Sequence, residues 1–185
     1  MVNKVLLLVI DIGSGGCKTT LINGEGKIMG ESQKEYSTLH PYPFWSEQNP
    51  EDWYVSFVKT LEELSLKTGI DSSNITALSI TASTHNAVLL DSKMNVIRPA
   101  IMWTDQRSVK EVDFLEKNHG EEIFKIGFQK VSPTWTLPQL LWIKNNEPQN
   151  YRQINKIMFV KDYVRYRLTG SWETDPQTLF FIKLN

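Results

Sequence analysis

The chain has 185 residues, 41% of them hydrophobic and 22% charged, enough for one domain of the usual ~100–200 residues whose core needs no disulfide or metal. Its 20 Lys+Arg against 21 Asp+Glu leave a net charge of −1, without the basic excess that nucleic-acid binding demands. No apolar run near the N-terminus is long enough for a secretory or membrane-spanning segment, and a lone Cys17 with three histidines offers neither a disulfide nor a zinc-ligand set, so a cytoplasmic mixed α/β domain is expected.

Residues 5–10 are a continuous, branched apolar run, which predicts a strand buried on both faces. Asp11 and the turn-forming Gly13-Ser14-Gly15-Gly16 close it. Strands over 17–22 and 27–36, separated by a tight turn at Gly24-Glu25-Gly26, complete an antiparallel meander. The stretch 36–46, with Pro41 and Pro43, reads as a loop. Asn49-Pro50-Glu51-Asp52 then has the order of an N-cap, a proline at the first helical position and acids in the first turn. Trp53, Phe57, Val58, Leu61 and Leu64 follow at helical spacing, with Gly69 as the C-cap.

Further strands are predicted at 75–81, 87–90 and 100–103. A helix capped by Asp105 is predicted over 106–118 and stops at His119-Gly120. A helix over 137–144, a strand at 156–160 and a helix over 162–168 ending at Gly170 complete the order. Trp53, Trp135, Trp142 and Trp172 are assigned to packing, and the apolar run Leu179-Phe180-Phe181-Ile182 needs a surface to pack against. A meander followed by alternating helices and strands implies a mixed sheet covered by helices.

Three segments could carry chemistry. The glycine-rich turn after Asp11 can bring backbone N–H groups onto a phosphate, since no Cβ blocks the approach. Asp11 could hold Mg²⁺ through water, and Lys18 could add a cation. It is not a P-loop, because Cys17 precedes Lys18-Thr19 and a strand follows. The plain alternative is a hairpin whose glycines supply positive φ. The second segment, Thr81-Ala82-Ser83-Thr84-His85-Asn86, sits at a strand end, where His85 and Asn86 could bond hydroxyls; otherwise His85 is a surface or packing residue. The third is Trp103-Thr104-Asp105-Gln106-Arg107. It could place an indole against the C–H face of a sugar and charged groups on its hydroxyls, or serve as core and helix cap.

In chain order, six pieces resemble the N-terminal domain of the FGGY carbohydrate kinases, and most of all the xylulokinase branch. They are Asp11-Ile12-Gly13-Ser14 with Lys18; Trp45-Ser46-Glu47-Gln48-Asn49-Pro50-Glu51-Asp52-Trp53; Ile80-Thr81 through His85 to Leu89-Leu90-Asp91; Arg98-Pro99-Ala100-Ile101-Met102-Trp103 with Asp105 and Arg107; Leu140-Leu141-Trp142 with Asn146-Glu147-Pro148; and Lys161-Asp162-Tyr163 with Leu168-Thr169-Gly170. The resemblance implies a ribonuclease-H-like, actin-like ATPase α/β fold, with residues 1–185 as one domain on the sugar-binding side. It implies ATP and Mg²⁺, and transfer of the γ-phosphoryl group to a hydroxyl of a small-molecule sugar. Asp11 would place Mg²⁺ through water, while Gly13, Ser14, Gly15 and Lys18 would face the phosphates. Ser83, Thr84, His85, Asn86, Trp103 and Asp105 would line the sugar.

Two departures qualify this. Xylulokinases usually carry Gly-Gln-Met-His-Gly where this chain has Ala82-Ser83-Thr84-His85-Asn86, so the acceptor is expected among ketoses, polyols and sugar acids. Family chains are also much longer, with the base aspartate and the adenosine-binding glycine motifs beyond the point where this sequence stops, and Pro176-Gln177-Thr178-Leu179 replaces a serine- and glycine-containing stretch. This chain alone is therefore expected to be catalytically silent, with a second polypeptide or self-association completing the cleft. A non-catalytic sugar-binding or regulatory module with the same fold is the alternative. Acetate- or hexokinase-type ATPases are disfavoured by the segments at 45–53 and 103–107.

Overall fold

β1 (Leu6–Ile12), β2 (Gly16–Asn23) and β3 (Ile28–Glu35) form the expected antiparallel meander in the computed structural model, which describes residues 5–175. Then follow β4 (Glu47–Gln48), α1 (Pro50–Thr68), β5 (Ala77–Ala82), β6 (Ala87–Leu90), β7 (Ala100–Ile101), α2 (Val109–Gly127), α3 (Thr136–Asn146), α4 (Pro148–Gln153), β8 (Lys156–Phe159) and α5 (Val160–Thr169). β5 joins the meander parallel to β1, giving the order β3-β2-β1-β5. The other strands pair antiparallel, β4 with β7 and β6 with β8. Among the described residues the mixed sheet is thus four strands wide, with two short ladders beside it. The sequence features at 176–182 lie outside the described residues.

β1 departs from its expected burial. Leu6, Leu8, Ile10 and Ile12 face the core, but Leu7 and Asp11 are exposed and Val9 is half-buried. An unbroken apolar run hides this alternation. Trp53, Phe57 and Leu64 of α1 and Val160, Tyr163 and Val164 of α5 belong to the same core cluster as the inward-facing residues of β1, leaving the other face of the strand open. The functional consequence is that Asp11 projects from the open face at the end of the strand.

α1 is built as its sequence requires. The Asn49 side chain accepts from the Glu51 N–H (3.2 Å), Pro50 opens the helix, and Gly69 ends it at φ 69°. Its contact with β3 is close: a Cβ on Gly30 would lie 2.6 Å from Thr68 Cγ2.

α2 does not stop at His119-Gly120 but runs on to Gly127. Leu115 and Ile123, on either side of Gly120, are buried together with Val131. That burial offsets the ~1 kcal/mol helix penalty of one glycine. Nor does Asp105 cap the helix, since Ser108 occupies the N-cap position. Trp53 is buried as expected, whereas Trp172 is 59% exposed with the Lys156 ammonium over its ring.

Candidate functional site

Residues 13–16 connect β1 to β2 and are braced from several sides. The Gly13 N–H donates to the Gly16 carbonyl (2.9 Å), and the Tyr36 N–H to that of Gly15 (3.3 Å). The Tyr36 hydroxyl donates to the carbonyls of Gly13 and Gly16. Burial pushes this phenol above its ordinary range, so it remains a donor. Gln48 Nε2 donates to the Ser14 carbonyl and to Thr38 Oγ1 (both 2.7 Å), while its Oε1 accepts from the Trp53 indole (2.8 Å).

None of the turn's glycines has positive φ, so the plain hairpin explanation does not account for them. Gly16 is required by space: a Cβ there would sit 2.7 Å from the Lys34 carbonyl oxygen. At Gly15 a Cβ would meet nothing within 4 Å, so this side of the turn is open. Among the described residues, none accepts from the backbone N–H groups of Ser14 or Gly15. Two exposed amides on an open turn suit an anion.

Asp11 lies opposite Lys18 in β2 and Thr81 in β5, exposed on the face away from the core. One exposed carboxylate beside open amides fits Mg²⁺ held through water, the ion's usual habit with phosphates. No group of three or more His, Cys, Asp or Glu able to hold a metal occurs among the described residues. Lys18 pairs with Glu31 at 2.8 Å, both side chains being close to half exposed. Water screens such a pair, so the ammonium is free to swing toward an anion. Cys17 points the other way. It is buried against Thr60, and burial pushes its thiol up to about 11, which makes it a packing residue rather than a nucleophile.

The second segment starts where β5 ends. The Ser83 N–H donates to the Ile12 carbonyl (2.9 Å), fastening this loop to the last residue of β1. His85 is half-buried at φ 65°, an uncommon conformation for a non-glycine residue, and its carbonyl accepts from Thr136 Oγ1 (3.2 Å). Burial lowers the affinity of the imidazole for a proton. Asn86 is fully buried: Nδ2 donates to Ser83 Oγ (2.7 Å) and Oδ1 accepts from the Trp103 N–H (2.6 Å). Thr84 is exposed.

In the third segment the charges face inward. Asp105 is 1% exposed. Its Oδ1 accepts from the N–H (2.8 Å) and Nε (2.9 Å) of Arg107, and its Oδ2 from Arg107 Nη2 (2.8 Å) and the Ser46 N–H (2.6 Å). Arg107 also reaches Glu47 (2.7 Å) and stacks 3.7 Å from the centroid of Trp45. Arg98 joins the cluster through Glu47 and Glu147. The acid and the guanidinium are therefore closed to solvent, and the surface of this segment is made by Trp103, 42% exposed, with Thr104 and Gln106.

Trp103 Nε1 donates to Ser14 Oγ (2.9 Å) across 89 residues of sequence. With the bonds from Asn86 to Trp103 and Ser83, and from Ser83 to Ile12, a ring of hydrogen bonds runs through all three segments. The ring thus brings Ser14, Ser83 and Trp103 together at the ends of β1 and β5, with Asp11, Gly13, Gly15, Thr84 and His85 as their chain neighbours and Asn86 and Asp105 buried. Sequence reasoning gave no individual role to Tyr36, Gln48 or Thr136. Each acts through one to three bonds to residues elsewhere in the chain that no local pattern announces. No helix among the described residues is long and apolar enough to cross a membrane.

The profile for the FGGY family of carbohydrate kinases, N-terminal domain, matches residues 6–178. Xylulose kinases from Staphylococcus xylosus and Escherichia coli (strain K12) are 38% and 35% identical over 168 and 166 residues, covering 90% of this chain and 34% of each relative. The chain therefore spans about a third of the length of the curated relatives it matches. Among solved structures, a xyloylose kinase from Brucella ovis superposes with a TM-score of 0.85 at 33% identity, covering 89% of this chain and 34% of that one. A gluconate kinase from Lactobacillus acidophilus superposes with a TM-score of 0.89 at 23% identity, covering 96% and 36%, which shows the shared actin-like ATPase fold. On the profile match and these relatives together, the chain belongs to the FGGY family of carbohydrate kinases, as its N-terminal domain.

Proposed function

We propose that this chain is the sugar-side wall of an ATP-dependent, xylulokinase-like sugar kinase, acting on a hydroxyl of a ketose, polyol or sugar acid. The observation that carries the reading is the hydrogen-bonded ring joining the Ser14 turn to the loop at Ser83 and to Trp103. It sets an anion-binding turn beside an exposed indole, the juxtaposition that transfer of a phosphoryl group to a sugar needs.

In this reading the open amides of Ser14 and Gly15, with Gly13 setting the turn, receive phosphate oxygens, and Lys18 leaves Glu31 to join them. Mg²⁺, placed by Asp11 through water, would neutralise charge on the phosphates. The apolar face of the sugar lies on Trp103, and Thr84, Ser83 and His85 offer hydrogen bonds to its hydroxyls. His85 does so as a neutral imidazole, because burial disfavours its charged form. Asn86 and Asp105 hold these groups from behind rather than meeting the sugar.

Transfer breaks the bond from the γ-phosphorus to the bridging oxygen of ADP, forms the bond to the sugar oxygen and releases the hydroxyl proton to a base. We assign that base and the adenosine site to a segment outside these 185 residues, a second polypeptide or a second copy of the chain being sources the assay below can test, in the cytoplasm. Calorimetric titration with pentuloses, polyols and sugar acids should give saturable heat at millimolar sugar, and a coupled ADP-release assay should show no turnover. No heat from any sugar would overturn the sugar assignment. Turnover at the ordinary kinase rate of ~1–100 s⁻¹ would overturn the need for a second segment.

A further inference from the structure

We propose that Trp103 is a positioning residue for the phosphate turn, acting through the hydroxyl of Ser14. The inference rests on reading residues 13–16 as a phosphate site. A serine hydroxyl has one proton to donate and two lone pairs to accept with. Because Trp103 Nε1 donates to Ser14 Oγ at 2.9 Å, the serine's own proton is turned away from the indole. Accepting one bond also polarises the hydroxyl and strengthens it as a donor.

Both ends of the link are fixed. The Ser14 carbonyl is held by Gln48 Nε2 at 2.7 Å, and Gln48 is itself 1% exposed and held by Trp53. The Trp103 N–H is held by the fully buried Asn86 at 2.6 Å, and its neighbour Met102 is tied to the Ser46 carbonyl at 2.9 Å. A donor and an acceptor locked from opposite sides impose one rotamer on the hydroxyl. With the indole on one side of the oxygen, an anion on the open side of the turn would meet the hydroxyl proton alongside the amides of Ser14 and Gly15. The same indole that offers its face to solvent thus uses its edge to set a donor for an anion.

The test is an amide and indole NMR titration of the 185-residue chain with inorganic tripolyphosphate and Mg²⁺. Trp103 Nε1–H is identified among the six tryptophans by its loss in Trp103→Phe, and the other indole signals report that the variant is folded. The expected result is that the amides of Ser14, Gly15 and Gly16 shift together with Trp103 Nε1–H. Affinity should fall about three- to ten-fold, the worth of one hydrogen bond, in Trp103→Phe and in Ser14→Ala. Ser14→Thr, which keeps the hydroxyl, should bind within two-fold of the unmodified chain. Adding Trp103→Phe to Ser14→Ala should weaken binding no further, a non-additivity that two independent structural effects would not produce. Turn amides that shift with unchanged affinity in Trp103→Phe, or fully additive losses in the double variant, overturn the inference and leave the phosphate site standing. No shift at the turn amides overturns the phosphate site itself, and the inference with it.

Discussion

Replacing Arg107 by methionine removes a guanidinium that is 1% exposed while keeping most of its aliphatic volume. The lost interactions are two bonds to Asp105 (2.8 and 2.9 Å), the approach to Glu47 at 2.7 Å and the stack on Trp45 at 3.7 Å. Glu47 keeps Arg98, but Asp105 is left with only the backbone N–H groups of Ser46 and residue 107. Removing one partner of a buried pair typically costs about 3–5 kcal/mol, most of it from the charge left behind. With a urea slope near 3 kcal/mol per molar, the unfolding midpoint should fall by about 1–1.7 M. Circular dichroism and tryptophan fluorescence read the same transition. If the residual charge is the cause, adding Asp105→Asn should recover at least ~1 kcal/mol, because an amide oxygen still accepts from Ser46. Sugar affinity should survive in that double variant, since the Asp105 carboxylate is buried among Arg107 and the Ser46 N–H. A midpoint shift below about 0.3 M, or no recovery, would refute the burial reasoning.

Gly15→Ala should change stability by less than ~0.5 kcal/mol because its Cβ meets open space, whereas Gly16→Ala should lose more than ~1 kcal/mol through the clash with the Lys34 carbonyl; equal melting temperatures for the two variants would contradict this. Asn86→Ala leaves the Trp103 N–H and Ser83 Oγ without their partner and should cost about 2–4 kcal/mol in urea melts. It should also move the Trp103 indole resonance, and an unmoved resonance would exclude the bracing role. Cys17 gives the pH dependence: the unfolded thiol titrates near 9.0 and the buried one at about 11. The unfolded chain therefore loses this proton first on raising the pH. The contribution is intact below pH 9 and lost as pH rises to 11, by on the order of 2–3 kcal/mol. Cys17→Ala should flatten the stability curve over that window, and parallel curves would exclude the effect.

Elements governed by local chemistry are legible in the sequence. The meander follows from apolar runs broken by glycine turns, and α1 from Asn49, Pro50 and Gly69 with an apolar stripe between them. Features decided by tertiary burial are not legible. Gly120 reads as a stop, yet the packing of Leu115 and Ile123 carries α2 through it. β4 has two residues, too short for any periodicity to show, whereas its partner β7 stands out as the start of the apolar run at 100–103. The same limit applies at the site. Asp11, the glycine turn, His85 and Trp103 stand out by residue type and position at strand ends. Whether Asp105 faces a ligand or the interior depends on Arg107, Ser46 and Glu47 converging on it, and only the folded chain shows that. Likewise the bond between Ser14 and Trp103 joins two motifs that have no sequence relation to each other.

The most direct measurement is a residue-by-residue NMR perturbation map of the chain with Mg·ATP and with D-xylulose, added separately. Nucleotide should perturb the backbone from Asp11 to Lys18, and sugar the loop from Ser83 to Asn86 together with Trp103, two adjoining patches on one wall. Perturbations that fall elsewhere, or none at millimolar ligand, would contradict the assignment of this wall to phosphate and sugar.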